Sequence, residues 1–254
     1  MVIKNKDTFD ALIQEAWNHE FSGWDFIYLS NRMLQAEPSW NYRQLVLEKI
    51  KNEDSLLDLD TGGGEFLESL QPFPPRTVAT EAYPPNVPIA KARLEPLGVK
   101  VIDTPATGRL PLEDNSFDLV INRHGDIQPP EIYRILKPGK RFVTQQVGGC
   151  NNIRLNELLQ DKVSFRDSGW CLEESVRQLE AGGLTVLDGR EEYPPVEFKD
   201  IGAVVYYLKA IPWQVCDFSI EKYYDRLGAI YNLMEEKGKL ESATHRFYIE
   251  AQKV

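Results

Sequence analysis

Three consecutive glycines, Gly62 to Gly64, follow the apolar run "LLDL", with the carboxylates Asp58 and Asp60 just ahead of them and Glu81 beyond. Glycine lets a ligand come close to the main chain, and a glycine turn that opens a helix also offers free N–H groups. A nucleoside triphosphate loop needs Lys-Ser or Lys-Thr after its last glycine, and Glu-Phe follows Gly64 instead. A dinucleotide loop needs a third glycine three residues after Gly64, where this chain has Leu67. Glu81 lies roughly 20 residues past the turn, the separation at which such folds place an acceptor for ribose hydroxyls. Carboxylates on both sides of a glycine turn suit a ligand with hydroxyls and an ammonium group, and S-adenosylmethionine has both. Further along, Asn122, Arg123 and His124 bring an imidazole able to exchange a proton near neutral pH.

Such groups need rigid elements to hold them. From Ser55 to Gln146 short β-branched or leucine-rich runs, "SLLDLD", "TVATE", "VKVID", "FDLVIN" and "RFVTQQV", alternate with helical stretches. That alternation predicts a parallel sheet covered on both faces. "QPFPPR" and "AYPPNVP" read as proline stops, and "LKPG" as the turn from a helix over 130–136 into the fifth strand. Helices are expected over 153–159 and 172–181, then a strand in "LTVLDGREEY", a helix in "IGAVVYYLKAI" and a last strand in "HRFYIEAQKV". Residues 1–50, with apolar and aromatic residues at helical spacing, read as an N-terminal helical cap, and residues 51–254 as the main domain, forming a single compact unit with the cap.

"LLDLDTGGGEF" resembles the first motif of the class I S-adenosylmethionine-dependent methyltransferases, apolar-apolar-acidic-x-G-x-G-x-G, at Asp58, Gly62 and Gly64. Glu81 falls where that family's ribose-binding acid falls. "LPLEDNSFDLVINRHG" resembles the approach to its fourth strand, and "YRILKPGKRFV" the approach to its fifth. The resemblance implies an α/β, Rossmann-like seven-stranded sheet of order 3-2-1-4-5-7-6, last strand antiparallel, with helices on both faces. It implies S-adenosylmethionine as cofactor and S-adenosylhomocysteine as product. Asp58, Thr61, Gly62 and Gly64 would hold the methionine part, Glu81 the ribose, Ala82 and Tyr83 the adenine, and Ala106 and Thr107 its amino edge. Asn122, Arg123 and His124 would line the methyl-transfer face. There His124 is the expected base, with Tyr42 or Tyr28 as a helper, and a base matters only where the acceptor carries a proton at neutral pH. Two positions depart from the pattern. Asp60 replaces the first glycine of the motif, and Pro105-Ala106 stands where many relatives carry Asp-Ala.

The aspartate divides the functional expectations. Two like charges about 4 Å apart, at an effective dielectric near 20, repel by about 4 kcal/mol. A carboxylate at 60 therefore opposes the cofactor's own unless it turns away or hydrogen-bonds the cofactor's ammonium, and Asp60 is expected among the cofactor-binding residues. The first expectation is methyl transfer to a small-molecule acceptor, and the alternative is a methyltransferase-like binding protein with weakened or lost cofactor binding. RNA methylation is disfavoured, because the formal charge is -10 and the best basic cluster, Lys137, Lys140 and Arg141, reads as a solvated helix end. Cys150, Cys171 and Cys216 form neither a disulfide frame nor a zinc motif. No apolar leader and no membrane-length run stands in the sequence, so the expected location is cytoplasmic and no membrane partner is expected. No motif specifies an oligomeric state.

Overall fold

The computed structural model describes residues 2–21, 26–105, 108–163 and 169–254. Along the chain the elements are α1 (Lys6–Asn18), β1 (Met33–Gln35), α2 (Tyr42–Ile50), β2 (Ser55–Leu59), α3 (Glu65–Glu68), β3 (Arg76–Glu81) and α4 (Asn86–Leu94). Then come β4 (Lys100–Asp103), β5 (Phe117–Arg123), α5 (Pro129–Ile135), β6 (Leu136–Val147), α6 (Ile153–Leu159), α7 (Leu172–Ala181) and β7 (Leu184–Glu192). β8 (Pro195–Phe198), α8 (Ile201–Ala210), α9 (Ile220–Lys237), β9 (Leu240–Ala243) and β10 (Arg246–Lys253) complete it.

Seven strands form one sheet in the order β4-β3-β2-β5-β6-β10-β7. The first five pair in parallel, and β10 runs antiparallel to both β6 and β7. Counted along this sheet, the order is the expected 3-2-1-4-5-7-6. All five residues of β2 are buried, as a central strand covered on both faces requires. Leu56, Leu119, Ile121 and Val143 pack with Val46 and Ile50 of α2 and Ala90 and Leu94 of α4. Leu57, Val120, Phe142 and Ile249 pack on the other face with Ile132 and Ile135 of α5 and Leu179 of α7.

By compactness the chain forms two units, residues 1–37, 149–169 and 193–245 in one, and 38–148, 170–192 and 246–254 in the other. α2 lies in the sheet unit, and most of the chain after residue 193 lies with the N-terminal helix. In the smaller unit every residue of α8 except Lys209 is buried, in a core shared with Phe9 and Ile13 of α1 and Leu227 and Ile230 of α9. β1, β8 and β9 form a three-stranded antiparallel sheet there.

The expected elements include neither that small sheet nor α9. Its strands are three or four residues long, too short to display a period of two. Two expected boundaries also move. α4 begins inside the proline cluster and carries Pro88 in its first turn, where no intrahelical N–H is needed. β6 reaches back to Leu136 through Lys-Pro-Gly, and its pairing with β5 shifts register between Phe117 and Leu119.

Candidate functional site

The turn after β2 is built by three positive φ values, Asp60 at 55°, Gly62 at 64° and Gly64 at 85°. Asp60 thus takes the left-handed conformation that its place in a glycine motif demands, and aspartate is among the side chains that tolerate it. The turn is tied to the end of β3. The Thr61 N–H donates to the Thr80 carbonyl at 2.9 Å, and the Gly62 N–H donates to Glu81 Oε2 at 2.6 Å. Glu81 Oε1 accepts the Tyr83 N–H at 2.7 Å, and the Thr61 hydroxyl donates to Asp58 Oδ2 at 2.7 Å. Asp58 and Glu81 are both buried.

Gly62 and Gly64 do different work. Around the direction in which a Gly62 side chain would project, no heavy atom beyond the adjoining residues lies within 4 Å. At Gly64 a Cβ would stand 2.8 Å from Leu94 of α4, so that glycine serves close packing of the turn on the helix. The Asp60 side chain lies against Gly125 in the loop after β5, where a Cβ would come within 2.6 Å of Asp60 Cβ and 2.7 Å of its Oδ2. Burial, then the charges of Glu81 and Asp126, push the Asp60 carboxyl up to about 6, while the Asp126 main-chain N–H donates to it. Burial likewise pushes Asp58 up to about 7, against the Thr61 hydrogen bond.

Past β5 the expected residues separate. Asn122 is fully buried and its amide is spent: Nδ2 donates to the Leu59 carbonyl at 3.1 Å, and Oδ1 accepts from Gln146 Nε2 at 2.6 Å. Tyr42, expected as a catalytic helper, is turned into the core. Its hydroxyl lies 3.0 Å from the Asn122 carbonyl and 3.1 Å from that of Val143, and burial raises its pKa well above that of a free phenol. It joins β5 to β6. Arg123 is exposed, its guanidinium 5.0 Å from the centre of the Phe66 ring. His124, at φ 66°, keeps an exposed edge but stands 3.4 Å from Gln145 Nε2. Crowding by protein, then the charges of Arg123 and Arg246, push its imidazole below the ordinary value and leave it neutral at pH 7.

On the other flank, Ala82 is half-buried and Tyr83 is 59% exposed. Ala106 and Thr107 lie outside the described residues. A small cavity at the carboxyl ends of the strands is lined by Asp60, Thr80, Thr104, Pro105, Asp126 and Gln128, among others. A larger one, about 360 Å³, lies at the opposite ends of β2 and β3 between Asp54, Arg76 and Lys137, away from the turn. Sequence reasoning missed Gly125, Asp126 and Gln145 as neighbours of the site. The one signal was "QQ", two adjacent amides in the fifth strand.

Residues 57–144 match the family model described as a methyltransferase domain, a stretch running from β2 through most of β6. That match covers about a third of the chain, and the seven-stranded, Rossmann-like sheet with its last strand antiparallel is a fold shared with solved structures. No curated protein sequence matches it. Among solved structures, YcgJ from Bacillus subtilis is 17% identical with a TM-score of 0.60, the match covering 84% of this chain and 97% of that one. A proposed methyltransferase from Bacillus halodurans C-125 is 18% identical with a TM-score of 0.59, covering 83% and 96%. The [4+2]-cyclase SpnF is 19% identical with a TM-score of 0.50, covering 83% and 80%.

Proposed function

We propose that the protein is an active methyltransferase that uses S-adenosylmethionine to methylate a small-molecule acceptor. The observation that carries this reading is the clasp at the glycine turn, where buried Asp58 and Glu81 hold Thr61 and Gly62 beside an open approach at Gly62. Each ionised carboxylate has more acceptor sites than these bonds use, so both can still receive donors from a ligand. The cofactor's ammonium and ribose hydroxyls are such donors. Asp58 and Thr61 would hold its amino-acid end, Glu81 its ribose, Ala82 and Tyr83 its adenine, and Ala106 and Thr107 the far edge of that ring. When bound, it supplies an activated methyl group for in-line displacement.

The chain's own contribution is alignment and exclusion of water, effects that together supply on the order of 7 to 11 kcal/mol in well-oriented reactions. The buried Asn122 amide and Tyr42 hydroxyl fix β2, β5 and β6 relative to one another, and so fix the platform. The charge of -10 supports a small-molecule acceptor over a nucleic acid. No helix among the described residues is long and apolar enough to cross a membrane, which is compatible with a cytoplasmic enzyme.

Asp60 favours a second reading, a methyltransferase-like binding protein, because its carboxyl is buried beside Glu81 and Asp126. A fold shared with a [4+2]-cyclase does not by itself fix the reaction. Calorimetric titration of S-adenosylhomocysteine into the natural chain and into Asp60→Gly separates the two. Micromolar binding by the natural chain carries the enzyme reading. Binding that arises only in the variant carries the second.

A further inference from the structure

Two side chains with a hydrogen-bond donor to offer a ligand lie next to each other at the end of β5. The first is Arg123, exposed and resting on Phe66, whose ring stacks on buried Tyr42 with centroids 5.2 Å apart. Among the described residues no carboxylate lies within ion-pair distance of its guanidinium. A guanidinium fixed on an aromatic face with its fork free is pre-organised for a planar anion.

The second donor follows from a relay that fixes a proton. The Trp40 indole N–H can only donate, and it donates to Gln145 Oε1 at 2.9 Å. The other end of that amide is therefore the NH₂ group, which faces His124 Nε2 at 3.4 Å. Nε2 must then be the bare nitrogen, and the neutral ring carries its proton on Nδ1. With one nitrogen spent as acceptor and the other protonated, His124 has no lone pair left to serve as a base. It presents a donor.

The two donors share a face. Arg123 and Gln145 are register partners on the parallel pair β5–β6, so their side chains leave the same face, and Gln145 draws His124 to that face. The next residue, Gly125, lies against Asp60 of the glycine turn. The carboxyl edge of the sheet thus carries Asp58, Asp60 and Glu81 over β2 and β3, and these cationic and donor groups over β5. The acids suit the cofactor's ammonium and hydroxyls, which leaves the donor pair for something else.

Resting on the methyltransferase reading above, we propose that Arg123 and His124 bind a carboxylate of the methyl acceptor, so that the substrate class is a small carboxylic acid. Gln145 and Trp40 are positioning residues that hold the His124 tautomer.

The test titrates acetate and benzoate, each against its amide, into the protein with and without S-adenosylhomocysteine. The acids are expected to bind at least about tenfold more tightly than the amides, in line with a charge-assisted hydrogen bond. Arg123→Leu is expected to abolish that preference while S-adenosylhomocysteine affinity stays within about twofold. In ¹⁵N spectra the His124 ring should be protonated on Nδ1 alone, and Gln145→Leu should mix the tautomers. Equal binding of acid and amide, a preference that survives Arg123→Leu, or a ring protonated on Nε2 overturns the proposal. So does a tenfold loss of S-adenosylhomocysteine affinity in Arg123→Leu, which would assign the arginine to the cofactor's carboxylate. Carboxylate binding lost in Arg123→Leu, by a natural chain that does not bind S-adenosylhomocysteine, supports the anion pair and overturns the methyltransferase reading alone.

Discussion

Asp58 and Asp60 hold their protons to about pH 7 and about pH 6 in the folded chain, against an ordinary carboxyl value of 3.8. Between about pH 4 and pH 7 the unfolded chain has released protons that the native chain still keeps. Stability therefore falls as pH rises through that window, by at most about 1.4 kcal/mol per pH unit for each group. Asp58→Asn removes one of these groups while retaining an acceptor for the Thr61 hydroxyl. Urea unfolding should find the variant gaining on the natural chain by ~1 to 3 kcal/mol between pH 4.5 and pH 7.5. Ligand binding should move the other way. An ammonium group prefers the ionised carboxylates, so S-adenosylhomocysteine affinity should rise from pH 5 to pH 8, with protons released on binding, and calorimetry in two buffers of different ionisation enthalpy reads both.

The glycine turn and the strand pair β5–β6 are where elements depend on single side chains. Alanine at Gly64 would meet Leu94 at 2.8 Å in a left-handed backbone, and at Gly62 it would meet nothing. Gly64→Ala should cost about 2 to 4 kcal/mol by urea unfolding, from strain and overpacking together. Gly62→Ala should cost about 1 kcal/mol, the left-handed strain alone, yet weaken S-adenosylhomocysteine at least tenfold. Equal affinity in that variant would remove Gly62 from the cofactor path. Tyr42→Phe leaves two strand carbonyls without the shared hydroxyl, and should cost about 1 to 2 kcal/mol. The pH profile of activity should stay where it is, since a phenol bonded to two carbonyls takes no part in proton transfer.

For the molecule as a whole, the acids and the glycine turn all belong to the unit made of residues 38–148, 170–192 and 246–254. Binding energy enters the stability of that unit by mass action, about 2.7 kcal/mol at a ligand concentration 100 times Kd. Hydrogen exchange with S-adenosylhomocysteine should slow most at residues 58–64 and 80–83, the segments joined by the Gly62–Glu81 and Thr61–Thr80 bonds. Slowing confined to other segments would move the cofactor site. The net charge of -10 does not prevent a local anion site, because Arg123 acts at contact distance while exposed distant charges are screened beyond about 8 Å in physiological salt.

The sequence by itself determined the parallel sheet, because buried parallel strands write continuous apolar runs and the linkers write proline and glycine, while the order of its strands came only from the resemblance of four motifs to a known family. It also placed Asp58, Gly62 and Glu81 around one turn, since strand, turn, helix and strand follow one another in the chain and bring residues about 20 apart into contact. Position 60 was readable as a conflict only. Its resolution depends on Gly125, 65 residues away, which leaves room for the side chain, and on the Asp126 N–H that meets the carboxylate. Tertiary structure alone decided the roles of Tyr42, Asn122 and His124. Each lies beside chemistry in the sequence, but the partner of its polar atom is a carbonyl or amide on another strand. A local pattern records which face a side chain takes. It does not record what a neighbouring strand presents there, and that partner decides whether a hydroxyl, amide or imidazole is spent on the fold or left for a ligand.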